Sequence, residues 1–356
     1  MHDGQLIVLP AATTAYFDCE NNYQRAFSFL KRIINRYNLR TGDFDYELFF
    51  DFLTAGLRND EEYKRMFSNY YSSTDYQWNR FLSDIEVIYN LTVAFFIKDC
   101  KGRQRYDNGE SLTSDDLQKY QNFSQILNLL SADHILHLHS LNHDLLLEAL
   151  GKTPLLHRSL SDGFSSLNSH YGSIRRLDGR SEVVALEEYT GDYYSNLELY
   201  KMHGSLDYWL FCIMSDFDAK PERMLKLGNG TSPIDMFKTD PETGERKRWP
   251  FEYAPSVLTG TTSKMKQYKK FFFNELFRHF ENNLRNSKML VIIGYGFKDQ
   301  GINDMIEKCF DYENKPVIVI DPYIETNDAA KRMCKKLHAK MVAKSIEDVD
   351  LNDLNM

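Results

Sequence analysis

The stretch that most constrains how this chain folds is MLVIIGYG, residues 289–296. Five consecutive apolar residues, Met289 to Ile293, run straight into Gly294 and Gly296. The run is too short for a buried helix and rich in β-branched residues, so it reads as a strand covered on both faces. The pattern returns in PVIVIDP at 316–322, and AKMVA at 339–343 forms a last short strand. Between them, helices are predicted from a cap at Asp299 to about Tyr312, and over 326–338. Upstream, 263–286 carries Tyr268, Phe272, Leu276, Phe280 and Leu284 at helical spacing. Apolar strands alternating with helices predict an α/β fold: a Rossmann-like parallel sheet with helices on both faces.

A second strand is predicted in HILHLHSLNHD, residues 134–144. Ile135, Leu136 and Leu138 make it apolar and buried, and it delivers Ser140, Asn142 and Asp144 to its carboxyl end, ahead of a helix in LLLEAL. The region before it, 20–132, reads as helical. Apolar stripes place helices at about 21–37, over FDYELFFDFL to Gly56, over 60–71, from about Asp75 to Ile97, and from an N-cap at Ser114 to Leu130. CKGRQRYDNGES, at 100–111, is a solvated loop. Residues 197–203, LELYKMH, form a strand, and SVLTG at 256–260 a short strand and turn. The rest of 151–255 lacks a sustained period and is expected to be an irregular insertion of loops and short hairpins. The whole chain, 1–356, is expected to be one domain.

Composition sets further bounds. Hydrophobic residues make up 42% and charged residues 26%, an ordinary globular balance. The formal net charge of −8 argues against direct nucleic-acid binding, which is dominated by phosphate neutralisation. The five cysteines, Cys19, Cys100, Cys212, Cys309 and Cys334, share no metal-ligand spacing, so no metal is expected. Their odd, scattered placement fits a reducing cytoplasm. No apolar run approaches the roughly 20 residues that span a bilayer, so no membrane association is expected.

Four predicted strand ends carry chemistry, and ligands of open α/β sheets bind outside such ends. SLNHD (140–144) offers an amide and a carboxylate. KMHGS (201–205) offers the imidazole of His203, then Gly204, where a backbone can approach closely. GYGFKD (294–299) opens a helix whose N-terminus favours anions. VIDP (319–322) places Asp321 where a carboxylate can accept hydrogen bonds from a ribose. Each also has a plain structural use. An Asn-x-Asp after a strand is usually a helix cap, and Gly294 and Gly296 do not complete Gly-x-Gly-x-x-Gly, because position 299 is Asp.

In order and spacing, these elements resemble the sirtuin-like family, specifically its bacterial branch in antiphage defence. Ser140, Asn142 and Asp144 match a Thr-x-Asn-x-Asp element. His203, Gly204 and Ser205 match a His-Gly-Ser element, with Leu206 and Trp209 close behind. Residues 294–299, with Asn303 after them, match a Gly-Tyr-Gly/Ser-Phe-x-Asp segment, and Leu258 to Gly260 fit a Leu-Thr-Gly stretch. The resemblance runs from about 134 to 322. The chain departs from the family in three places. The only glycine before Gly42 is Gly4, so the Gly-Ala-Gly-x-Ser loop that cradles the NAD diphosphate is not recognisable. Either that loop is lost, or the chain starts downstream of it, with VLP at 8–10 matching its end. The four-cysteine zinc module of the deacylases is missing, which disfavours protein deacylation. Leu141 stands where deacylases carry Gln.

The resemblance implies cleavage of NAD into ADP-ribose and nicotinamide, with no metal. Asn142 would orient a water, His203 would act as base, and Asp144 would hold the loop or stabilise positive charge. Ser140, Gly204, Gly294, Gly296, Phe297 and Asp321 would bind the nucleotide. It also implies a toxic effector restrained as a homo-oligomer or by a partner, such as a DNA-translocating ATPase. The alternative is a non-catalytic module that senses NAD or ADP-ribose and regulates a partner.

Overall fold

A computed structural model describes residues 20–42, 46–71, 77–79, 81, 82, 85, 89, 112–176, 181–215, 218–226, 231–232, 237–239, 246–248, 256–260 and 271–354. The chain divides into two compact units. One comprises Met1–Gly109, Phe164–Tyr189 and Gly204–Gln267; the other comprises Glu110–Gly163, Thr190–His203 and Tyr268–Met356.

The helices of the first unit follow the apolar stripes of the sequence. Glu20–Thr41 ends at Gly42, whose φ of +76° stops the helix. Tyr46–Asp51 continues through a π turn, Phe52–Gly56, and a 3₁₀ turn, Leu57–Asn59. Glu61–Tyr70 starts on Asp60, whose carboxylate accepts from the amides of Glu62 and Tyr63 and pairs with Arg40 at 3.1 Å. Their shared core is aromatic: Phe29 meets Phe67 and Phe81 edge-on at 5.5 and 5.2 Å. The helix expected over 75–97 lies mostly outside the described residues, as does the loop at 100–111. Within it, Trp78, Phe81, Leu82, Ile85 and Tyr89 are helical, and Phe81, Ile85 and Tyr89 are buried.

The expectation of an irregular insertion at 151–255 is corrected for much of its length. Phe164–Arg176, Ser181–Tyr189, Tyr208–Ser215, Asp218–Lys226, Thr231–Ser232, Phe237–Thr239 and Arg246–Arg248 form one seven-stranded antiparallel sheet. Phe164 pairs with Tyr189 and Tyr208 with Lys226, and the ladder bulges between Ser166 and Tyr171. SSLNSHYGS gives no period-two signal, yet every residue of a ladder contributes its backbone. SVLTG forms only an isolated bridge, Val257 to Gly204.

The second unit is α/β with parallel sheets. Its elements are α1 (Ser114–Lys119), α2 (Gln121–Ala132), β1 (Leu136–Ser140), α3 (Leu146–Gly151), β2 (Leu160–Ser161), β3 (Leu197–Lys201), α4 (Phe271–Asn286), β4 (Leu290–Ile293), α5 (Gln300–Cys309), β5 (Val317–Ile320), α6 (Asp328–Lys336) and β6 (Lys340–Val342). The strand orders are β1-β3-β2 and β4-β5-β6, all parallel. The cap predicted at Ser114 belongs to Thr113, which forms a reciprocal capping box with Asp116, and the helix breaks at Tyr120. The strand predicted as buried, β1, is only half-buried, and Ile135 before it is exposed.

All four residues of β5 are buried, so both of its faces are covered. Ile318 and Ile320 pack with Ile126 of α2 and Val342 of β6. On β1, His139 meets Phe280 of α4 and stacks on Tyr200 of β3 at 4.6 Å. Among the described residues, no helix is long and apolar enough to cross a membrane, and no group of three or more His, Cys, Asp or Glu could hold a metal ion.

Candidate active site at the strand ends

The carboxyl ends of β1, β3, β4 and β5 carry most of the residues singled out from the sequence. After β1, the Ser140 hydroxyl accepts the amide of Asn142 at 3.2 Å, and the Ser140 carbonyl accepts the amide of Met202 at 2.9 Å. The Asn142 residue is exposed and the Asp144 residue half-buried. The Asp144 carboxylate accepts the amide of Leu146 at 3.1 Å, a turn that starts α3. Beneath this loop lies a residue that inspection of the sequence missed. Lys201, at the end of β3, is 1% exposed; its ammonium donates to the Asp144 carbonyl and lies 3.7 Å from Glu148, itself 8% exposed. A buried lysine one residue beyond LELY carries no signature by itself.

His203 follows β3 by two residues and is 4% exposed. Its Nε2 lies 3.3 Å from Oδ2 of Asp299, an ion-pair contact rather than a straight hydrogen bond. The ring of His143, from the β1 loop, is 6.4 Å from its own. The SLNHD loop, His203 and the GYGFKD turn therefore meet in one unit. Asp299 is the second residue the sequence did not single out for the site, having been read only as a cap.

It is also that cap. Oδ1 of Asp299 accepts the amides of Gly301 and Ile302 at 3.0 and 3.2 Å. An anion at the α5 terminus would compete with this carboxylate for the same amides, so the helix end is not an open phosphate seat. Before it, Gly294 has φ +63° and Phe297 φ +55°, so the turn is left-handed twice. A Cβ on Gly294 would meet nothing within 4 Å, leaving open space beside it. Tyr295 donates to the Asp299 carbonyl at 2.9 Å and to the Asn303 side-chain oxygen at 3.0 Å. Asn303 donates to the buried Phe297 carbonyl at 3.0 Å, which fixes the turn. Asp321, after β5, is 8% exposed; its carboxylate accepts the Tyr323 amide at 2.7 Å and shapes the next turn.

Gly204 belongs to the other unit. It has φ +82°, and a Cβ there would lie 1.9 Å from the Ser256 carbonyl oxygen. The close approach that requires glycine is to this neighbouring backbone.

One face of β1 and β3 presents His137, His139, Glu198 and Tyr200, with His279 of α4 against them. His137 lies 2.6 Å and Tyr200 2.7 Å from the same Glu198 oxygen. Burial pushes the Glu198 carboxyl up, but these two partners outweigh it and hold it below the ordinary range. Burial holds the His139 imidazole well below its ordinary range, and nearby His137 and His279 add to this. Burial also lowers His279.

No protein-family model matches the chain, and no curated protein matches it.

Proposed function

We propose that this chain is an NAD glycohydrolase that cleaves NAD to ADP-ribose and nicotinamide. The observation that carries this reading is the buried imidazole of His203 between the SLNHD loop and the GYGFKD turn, at the carboxyl ends of parallel strands. Those strand ends are where open α/β proteins bind nucleotides.

In this mechanism, the bond from ribose C1′ to the nicotinamide nitrogen breaks. Its electron pair goes to the pyridinium ring, so neutral nicotinamide leaves without a general acid. A water held by the Asn142 amide adds its oxygen to C1′, and its proton passes to His203 and then to solvent. Asp144 faces the developing positive charge, Asp321 receives the ribose hydroxyls, and Ser140, Gly294, Gly296 and Phe297 form the walls that admit the nucleotide. Gly204 lets its own backbone pass close to Ser256. Proton transfer to a positioned base contributes about a hundredfold to ten-thousandfold. The chain would act in the cytoplasm as a toxic effector of antiphage defence, restrained by self-association or by an ATPase partner.

The alternative reading is a module that binds NAD or ADP-ribose without turnover and regulates a partner. Incubating the pure chain with NAD and separating the products decides between them. The hydrolase releases nicotinamide, and His203→Ala reduces this at least a hundredfold. Equal background release from wild type, His203→Ala and Asn142→Ala refutes the catalytic reading, and calorimetric NAD binding without release supports the sensor.

A further inference from the structure

We propose that Lys201 is a positioning residue: its buried ammonium clamps the SLNHD loop onto the end of β3 and so sets where Asn142 holds the attacking water. The catalytic consequence rests on the hydrolase reading; the clamp rests on the geometry alone. β1 and β3 run parallel, with Ser140 opposite Lys201. The loop that leaves β1 is bonded to the end of β3 at both of its ends. At its start, the Ser140 carbonyl accepts the Met202 amide at 2.9 Å. At its close, the Asp144 carbonyl accepts from Nζ of Lys201. The two donors are adjacent in the chain, and His203 is the next residue along. Only Leu141, Asn142 and His143 lie between the two anchors. The Asn142 amide is itself held by the Ser140 hydroxyl at 3.2 Å.

Burial makes the choice of residue informative. A lysine normally keeps its ammonium in water while its stem is covered. The side chain of Lys201 is 1% exposed, and its Nζ lies 3.7 Å from Oε1 of Glu148. Replacing a buried ion pair with apolar residues of similar volume is often neutral or stabilising, so stability alone does not account for this pair. What an apolar pair lacks is a donor for the Asp144 carbonyl. Glu148 stands in the first turn of α3, so the ammonium also engages the helix that follows the loop. The Asp144 carboxylate, accepting the Leu146 amide at 3.1 Å, joins the loop to that helix.

The reaction offers a readout that separates positioning from folding. When the bond from ribose C1′ to nicotinamide breaks, its electron pair leaves with nicotinamide. An oxygen nucleophile then adds to C1′ and gives up its proton. Methanol can stand in for water, and the product is then the methyl glycoside of ADP-ribose. The ratio of methyl glycoside to ADP-ribose depends on how firmly Asn142 holds water. It does not depend on the fraction of protein that is folded, because the same molecules form both products.

The test uses the full chain with Lys201→Met and Glu148→Leu together, which removes the donor without leaving a buried charge. Amide exchange of peptides spanning 140–150, under native conditions, should rise about tenfold to a hundredfold, as loss of a hydrogen bond to a charged group implies. Peptides of β4 and β5 should be unchanged. Nicotinamide release should fall about a hundredfold in kcat, the scale of a roughly 1 Å misplacement. KM should stay nearly unchanged, because the GYGFKD turn and Asp321 remain in place. In dilute methanol the product ratio should shift toward the methyl glycoside. Lys201→Met alone reports the same ratio if the double variant folds poorly. Unchanged loop exchange, or unchanged kcat and product ratio, overturns the proposal. If wild type releases no nicotinamide, the hydrolase reading fails, and loop exchange alone then decides whether Lys201 clamps the loop.

Discussion

Replacing Lys201 with Met should unfold the SLNHD loop's foundation while leaving every proposed catalytic side chain in the sequence. Lys201 and Glu148 are 1% and 8% exposed and 3.7 Å apart. At an effective dielectric of about 20, two unit charges at that distance attract by about 4–5 kcal/mol. Breaking a buried pair by removing one partner costs about 3–5 kcal/mol, chiefly because the other charge stays buried. Lys201→Met should therefore destabilise the site-bearing unit by that amount. Lys201→Met with Glu148→Leu removes both charges and should recover part of the loss. The double variant keeps a cost of about 1–3 kcal/mol, because the Asp144 carbonyl loses the ammonium that donates to it. Trp78, Trp209 and Trp249 all belong to the other unit, so tryptophan fluorescence is the wrong probe. Amide hydrogen exchange of peptides covering β1 and β3, followed against urea, reports the right unit. A single-variant loss below about 1 kcal/mol, or a double variant no better than the single, would refute the reasoning.

Further predictions concern other parts of the molecule. His139 is neutral in the fold where the unfolded chain begins to protonate, near pH 6.5, so the unfolded state binds more protons and stability falls as pH drops below about 6.5. His139→Phe keeps the stack on Tyr200 and should flatten that slope by up to about 1.4 kcal/mol per pH unit in denaturant titrations; an unchanged slope sinks the assignment. Glu198 acts in a lower window: its folded value is depressed, so its contribution is present above its unfolded value and lost as pH falls through the folded one. Gly204→Ala must place a Cβ 1.9 Å from the Ser256 oxygen at φ +82°, which should cost more than about 2 kcal/mol in urea titration; a midpoint equal to wild type would show that this backbone yields freely.

The C-terminal strands and helices were legible because their apolar runs are short and β-branched and their caps are short-range signals, although only β5 is buried along its whole length and β4 and β6 are part-buried. Asp299 and the β4-α5-β5-α6-β6 order came directly from that pattern. The antiparallel sheet was not legible, because SSLNSHYGS pairs with 181–189 through backbone bonds that any sequence can supply. The wrong cap at Ser114 is a shift of one residue, decided by the reciprocal bond from Asp116 to Thr113. In the site, SLNHD, His203 and GYGFKD were found as separate strand ends. Their meeting through Asp299 and His143 was not, because a contact between residues about a hundred positions apart leaves no local trace. Lys201 escaped for a related reason: its burial depends on Glu148 and the Asp144 carbonyl, which are neighbours only after folding.

That separation along the chain has a consequence for how the protein is made. Asp299 leaves the ribosome 96 residues after His203. At roughly 5–20 residues per second, the two are roughly 5–20 seconds apart during synthesis. Until the stretch from α4 to α5 has emerged, His203 lacks the Asp299 carboxylate and the GYGFKD turn does not exist. An unfinished chain, or one truncated before Gly294, therefore lacks half of the site. A cell producing this protein would meet the assembled His203–Asp299 pair only on nearly complete molecules.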